Sequence, residues 1–362
     1  MNNKSAIFTS LLIGSALIAD LSPALQARDA GNGRSGAVYT LSNDPAGNRV
    51  LAFDRAKDGT LTPSGSVASG GTGNGSNLGS QGAIVLSSDK EWLFAVNAGS
   101  DSISSFAIRN GGLVLAGTAA SGGTTPVSLT VHGSLLYVLN QGGTGNITGF
   151  RVGPHGELKR IDGSTRPLSN LAAGAAQVSF SPDQETLVVS EKNTQTLDTY
   201  RLGDDDRVAG PTGHPSNGLV PFGFTFAGQD TLLVTEAGSN AVSSYNLDGR
   251  NLDTVSPSVP SEGAAPCWIT VSGHGRFAFA SNAHIGTIAG FRVSREGDLT
   301  FLGLTQTSSI PVLDMGSTPD FVYALAGGTH EILAYQVERD GSLSSLTGAA
   351  GLPATAVGLA VR

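Results

Sequence analysis

The chain has 362 residues, 50 of them glycine, with charged residues at 14% and a formal net charge of −8. No Lys/Arg cluster appears in it, which argues against nucleic acid or an anionic membrane surface as partner, since both require a basic footprint. The 39% hydrophobic content supplies a shared core, and the single Cys267 excludes an intramolecular disulfide.

The first 27 residues carry one Lys, an apolar run over 6–19 and then small residues. This pattern reads as a secretory signal peptide cut after Ala27. The run is short for a membrane span and no later stretch is long enough. The expectation is therefore an exported protein, periplasmic or extracellular, without a membrane span. Residues 28–37 read as a polar, Gly-rich lead-in, and 38–362 as one domain.

From residue 38 a single pattern recurs seven times: an apolar strand ending in a polar residue, a Gly/Ser/Asn link, a second strand with a late aromatic, then a turn. The late aromatics are Phe53, Phe106, Phe150, Tyr200, Tyr245, Phe291 and Tyr335, spaced 44 to 53 residues apart. Short strands repeating at roughly 40–50 residues are the mark of β-propeller blades. The fold class expected is all-β: a seven-bladed β-propeller of four-stranded antiparallel blades. Six repeats are preceded by an inner strand, at 83–86, 127–131, 178–180, 224–226, 268–271 and 312–315. The first repeat lacks one. The C-terminal AVGLAV (356–361) can supply it, closing the ring with the last strand and leaving no open edge.

The hairpins joining third and fourth strands carry Gly at or near the turn, as tight hairpins require. The connections from fourth strand to the next inner strand are long: 68–82, 118–126, 163–177, 209–223, 256–267 and 304–311. They share one face of the disc with the links after each second strand, and that face is the candidate for function. His214, His284 and His330 fall on it. His132, His155 and His274 fall on the other face. No histidine pair has metal-ligand spacing, so neither a metal site nor a cofactor is expected.

At the second-strand ends stand Asn43, Asn97, Asn140, Glu191, Glu236 and Asn282, with Ala326 in the last repeat. One reading is a polar ring around the axial opening, in which neighbouring carboxylates raise one another's pKa and serve as acid and base. The other is that each residue caps its own strand end, as Asn readily does. Lys192 beside Glu191 offers a counter-ion or a carboxylate ligand. Arg49 and Arg166 read as surface charges, Cys267 as a buried inert thiol, and the Asp run at 204–206 as a solvated turn. There is no Gly-x-Ser-x-Gly elbow. The Gly-rich SGGTGNGSNLGS (69–80) lacks the Lys and helix of a phosphate-binding loop and reads as a flexible loop near the opening.

The seven units, the phrases VSFSPDQETLVVSE (178–191) and LLVTEAGSNAVSSYNL (232–247), and the Asp-Gly hairpins resemble the seven-bladed lactonase propellers, which include 6-phosphogluconolactonases and carboxymuconate cyclases. YVTN-type propellers share the same repeat motifs. The resemblance implies a lactonase-like enzyme acting on a small lactone or carboxylate, with Glu236 matching the family's acidic residue at a second-strand end. In that reading Glu236 is the acid/base, Glu191 assists, and Asn97, Asn140, Asn282, His214, His284 and Lys192 bind substrate. The chain departs from the family where a Pro-His usually leads into the fourth inner strand, here Ala175-Ala176-Gln177. It departs again where Pro-Arg-His leads into the fifth, here Pro221-Phe222-Gly223. The alternative is a non-catalytic propeller that binds a small molecule, glycan or protein. A monomer is expected in either case. The discriminating feature is whether a cation or imidazole lies within hydrogen-bond reach of Glu236.

Overall fold

The computed structural model describes residues 34–110 and 112–362. The expected signal peptide and most of the lead-in lie outside the described residues.

Seven four-stranded antiparallel sheets form the ring, each a meander from an inner to an outer strand. In blade 1 the inner strand is the C-terminal Val357–Val361, followed by Arg34–Leu41, Arg49–Ala56 and Leu61–Ala68. Val361 pairs Val38, Ala360 pairs Tyr39 and Val357 pairs Leu41. The Arg55 guanidinium, itself buried, donates to the Arg362 carbonyl through Nε and Nη2 at 3.2 and 3.1 Å. The ends of the chain are thus locked together in one sheet, as the missing inner strand implied.

Why these segments form these strands follows from their depth in the blade. Second strands such as Leu135–Asn140, Thr186–Glu191 and Thr231–Glu236 lie between two neighbouring blades, and every residue in them is buried. A strand covered on both faces needs an unbroken apolar run, not an alternation. The late aromatics of the third strands pack into the same interior, and all seven are buried. Fully burying one such side chain contributes about 1.5–3 kcal/mol. Together they weld each blade to its neighbours without a disulfide.

Two boundaries differ from expectation. The first strand begins at Arg34, not Val38. The outer strands Gly112–Ala120, Val208–Pro215 and Asn251–Pro260 extend well into segments expected as connections. These strands have one face in solvent and are largely half-exposed, and glycine, proline and polar residues interrupt Val208–Pro215 and Asn251–Pro260, so those two carry no apolar run to announce them. Blade 3 has a broken outer edge, in which Leu158–Arg160 and Arg166–Pro167 each pair with Asn146–Val152.

Deleting residues 354–362 should remove the inner strand of blade 1 and open the ring. The expected result in a thermal melt is loss of the cooperative transition, or a Tm lower by more than about 10 °C. A melt like that of the full chain would contradict a closing role for this strand.

Candidate functional site

The second-strand ends do come together at one level, but their side chains turn away from the axis. Each of Asn97, Asn140, Glu191, Glu236 and Asn282 is fully buried and bonded outward, to the link, the third strand or the preceding connection. Asn97 accepts from Ser69 Oγ and Asn48 Nδ2 at 2.6 and 3.1 Å, and donates to Ser104 Oγ at 2.8 Å. Asn140 donates to the Ser121 carbonyl and to Asn146, and Asn282 to Thr287 Oγ1 at 3.0 Å. In blade 1 the level falls on Ser42, whose N–H bonds the carbonyl of Arg49. Asn43 sits one residue beyond, at φ 50°, and holds loop 69–82 by bonds to Asn74 and the Ser76 carbonyl. The capping reading of the Asn positions describes this geometry, and the polar ring around the opening is not formed.

Glu236 follows the same rule. Oε1 accepts from Ser243 Oγ at 2.6 Å, the Gly218 N–H at 2.8 Å and Ser216 Oγ at 3.2 Å, while Oε2 accepts from Ser258 Oγ at 2.6 Å. Ser243 belongs to the third strand, Ser258 to the fourth, and Ser216 and Gly218 to the connection from blade 4. A Cβ on Gly218 would collide with the carboxylate, so glycine is required for this approach. Among the described residues no cation or imidazole bonds Glu236. Its donors are four hydroxyls, with Tyr245 the most distant at 3.5 Å, and one amide.

Glu191 holds the equivalent connection of blade 4 through Ser169, Asn170 and Thr194. Here the third-strand position that is Ser104 in blade 2 and Ser243 in blade 5 is Asp198. Asp198 is fully buried and shares the Ser169 N–H with Glu191, at 2.9 and 3.1 Å respectively. Burial, and then the Glu191 carboxyl beside it, push Asp198 well above the usual carboxylate range. A carboxyl standing where the other blades place a hydroxyl donor can serve as one only by keeping its proton.

The remaining candidates do not assemble with these. His214 is not in a connection but in the outer strand of blade 4, with Nε2 3.1 Å from Thr199 Oγ1 and its pKa lowered by burial. His284 is exposed in the link of blade 6, and His330 is exposed in that of blade 7. Arg166 bonds the carbonyls of Val208, Gly163 and Thr165 at the rim. In the turn of blade 4, Asp206 pairs with Arg151 and Asp205 with Arg207.

The axial mouth is built by Phe222 and Lys192, both singled out in the sequence, together with Trp268 and Gln81, which were not. Phe222 and Trp268, from the inner strands of blades 5 and 6, meet edge to face at 5.1 Å. Lys192 Nζ lies 4.9 Å from the Phe222 ring centre. Loop 69–82, expected as a flexible neighbour of the opening, passes directly across it. Lys192 donates to the Gly79 carbonyl at 2.5 Å and Trp268 Nε1 to the Ser80 carbonyl at 2.7 Å. Gln81 reaches the far side of the channel, taking the Ile269 N–H at 3.0 Å and donating to the Ile269 and Phe224 carbonyls. Beneath it Gln177 clasps Phe224 in the same way, accepting from its N–H at 2.7 Å and donating to its carbonyl at 2.9 Å. Gly223, the corresponding residue of blade 5, has no side chain to offer Ile269. A Cβ there would strike Gln81 Oε1. The two departures from the family pattern, Gln177 and Gly223, therefore belong to one hydrogen-bonded stopper.

Comparison with known proteins agrees with this architecture. Residues 46–167, about a third of the chain, match the family described as "Lactonase, 7-bladed beta-propeller". No curated protein matches the chain. Among solved structures it resembles a candidate 6-phosphogluconolactonase from Bacteroides fragilis, at 19% identity and TM-score 0.73, covering 91% of this chain and 98% of that one. A functionally unknown protein from Desulfotomaculum acetoxidans gives 14% identity, TM-score 0.74 and coverages of 90% and 98%. The periplasmic gluconolactonase of Pseudomonas aeruginosa gives 17%, 0.68, 87% and 97%. At these identities the structural matches speak for the fold, and the chain is a seven-bladed propeller of the lactonase type in architecture.

The buried acids make a pH prediction. Asp314, on the inner strand of blade 7, is pushed up to about 7 by burial, and Asp198 is raised likewise. An acid that keeps its proton folded but loses it near pH 4 when unfolded makes the native state bind more protons between those values. Stability from these groups is full at acid pH and is lost as pH rises through about 7. In urea titrations Asp198→Asn and Asp314→Asn should each flatten the decline between pH 5 and 8.5 and exceed the wild type in stability at pH 8.5. An unchanged slope in both would show that neither acid holds its proton.

Proposed function

We propose that this protein is an exported ligand-binding propeller that uses the lactonase architecture without lactone hydrolysis. The observation that carries the reading is the coordination of Glu236. Its donors, the Ser216, Ser243, Ser258 and Tyr245 hydroxyls and the Gly218 amide, are neutral and internal. Acid/base catalysis needs a carboxyl that can reach a substrate proton, and stabilising a developing oxyanion needs donors aimed at the reacting carbonyl. A fully buried carboxylate whose accepting sites tie three elements of one blade together supplies neither. The positions at which the resemblance would place imidazoles and a guanidinium read Ala175-Ala176-Gln177 and Pro221-Phe222-Gly223.

Lactone hydrolysis is the second reading, favoured by the family match over 46–167. Export rests on the character of residues 1–27, and N-terminal sequencing of the protein recovered outside the cytoplasm should find Arg28 first.

One experiment separates the readings. In a pH-stat assay on a panel of five- and six-membered lactones, the mature chain should give no turnover above buffer. Glu236→Gln should lower stability by about 1–3 kcal/mol, because an amide cannot accept all of the carboxylate's donors and its own N–H2 meets hydroxyl and amide groups already committed to donating. Wild-type turnover that vanishes in a folded Glu236→Gln protein would overturn the binding reading and restore Glu236 as the acid/base.

A further inference from the structure

We propose that residues 79–82 are a built-in stand-in for a ligand, covering an axial cradle for a small carboxylate with a flat apolar body, and that ligand binding displaces them. The inference rests on the reading of the protein as a binding propeller and names the ligand class of its axial mouth.

The argument starts from what the loop offers. Gly79 and Ser80 present two successive carbonyl oxygens to two converging donors, the Lys192 ammonium and the Trp268 indole N–H. With the loop displaced, an anionic acceptor such as a carboxylate would find a cation and a neutral N–H donor left unpaired together. A neutral carbonyl is a poor partner for a half-buried ammonium. Among the described residues no carboxylate pairs with Lys192, and burial pulls its pKa down to about 8. Ligand charge would satisfy it better than the loop does.

The walls fit the rest of such a ligand. Phe222 and Trp268 are buried with their rings edge to face, and Cys267 is packed in the same cluster. Flat apolar groups find both surface and polar handle in a setting of this kind. The loop is held on the near side by Ser80 Oγ to the Val127 carbonyl, the Gln81 N–H to the Ala176 carbonyl and the Leu129 N–H to the Gly82 carbonyl. Its buried apolar anchor is Leu78, it is glycine on both sides of Ser80-Gln81, and its grip on the far wall depends on the one side chain of Gln81. Gly223 keeps the space that Gln81 enters free of any side chain of blade 5. Nothing else on that strand would occupy it once the loop withdrew.

A covered site binds its ligand more weakly by the fraction of time it is open. Removing the grip of Gln81 should raise that fraction. The test uses the mature chain carrying Trp92→Phe, which leaves Trp268 as the single tryptophan, with benzoate as probe and benzyl alcohol as the uncharged control. Binding is read by Trp268 fluorescence and by calorimetry. Adding Gln81→Ala should tighten benzoate at least tenfold, and adding Lys192→Met to that protein should cancel the gain while leaving benzyl alcohol unchanged. Equal benzoate affinity with and without Gln81→Ala, or a gain that survives Lys192→Met, overturns the proposal. Should Gln81→Ala not fold, hydrogen exchange on the unmutated chain decides. Saturating benzoate must speed exchange of the amides at 79–82, and unchanged protection counts against displacement. Lactone turnover by the wild type would sink the parent reading without moving these outcomes, and failure of benzoate to engage Lys192 would sink only this one.

Discussion

Closing a sheet of blades into a ring removes the usual problem of exposed strand edges but leaves one set behind. The seven inner strands each turn an edge toward the axis, and the backbone groups on it must be satisfied away from bulk water. The polar residues of the inner strands are placed to do this across the blades. Ser128 Oγ accepts from the Val178 N–H and Thr130 Oγ1 from the Phe180 N–H. Gln177 engages both groups of Phe224, and Ser317 donates to the Val271 carbonyl. Second-strand hydroxyls join the same work, Thr235 bridging the carbonyls of Gly223 and Cys267 and Ser190 bonding that of Phe222. Apart from Ser317, which turns back to blade 6, each side chain bonds the edge of the next blade.

On the inner strand of blade 5, Gly223 has no side chain with which to bond the Ile269 edge. The missing amide is supplied by Gln81 from a connection more than a hundred residues earlier in the sequence. The stopper is thus a consequence of edge satisfaction as much as an addition to the mouth. A segment recruited to bond the Ile269 edge has to cross the channel, and in crossing it covers Lys192 and Trp268. One glycine and one glutamine determine whether the mouth of the propeller is open or shut.

The same economy governs the rim. Asn97, Asn140, Glu191 and Glu236 each bond the connection that leads into their blade, and Asn282 bonds its own third strand. Asn serves in blades 2, 3 and 6: Asn97 both accepts and donates, while Asn140 and Asn282 donate only. Glu serves in blades 4 and 5, where a connection brings donors alone. Hydroxyls of the third strand complete the set at Ser104 and Ser243, and in blade 4 the same position is the buried Asp198, whose pKa burial raises. Ionised or neutral, these groups are fixed by what surrounds them, and polar residues at equivalent positions of a repeat are first of all parts of the repeat.

The architecture was legible because it is written many times over. Seven late aromatics at nearly constant spacing and an apolar C-terminal strand without a partner are sufficient to specify the ring and its closure. The outer strands were not, since Val208–Pro215 and Asn251–Pro260 owe their pairing to the strand beside them and not to any apolar run of their own. The site was harder still. Glu191 and Glu236 are conspicuous because carboxylates are rare at buried strand ends, yet their rarity reflects a capping task that only the positions of Ser169, Ser216 and Ser258 explain. Gln81 and Gly223 are inconspicuous singly: one lies in a Gly-rich loop, the other in an apolar strand. Their meaning arises from a contact between segments 142 positions apart, which no local pattern records. A trace of it was nonetheless in the sequence, in the departure from the family at the fifth inner strand. A glycine where relatives place a large side chain leaves room, and in a close-packed interior room is taken by something else in the chain.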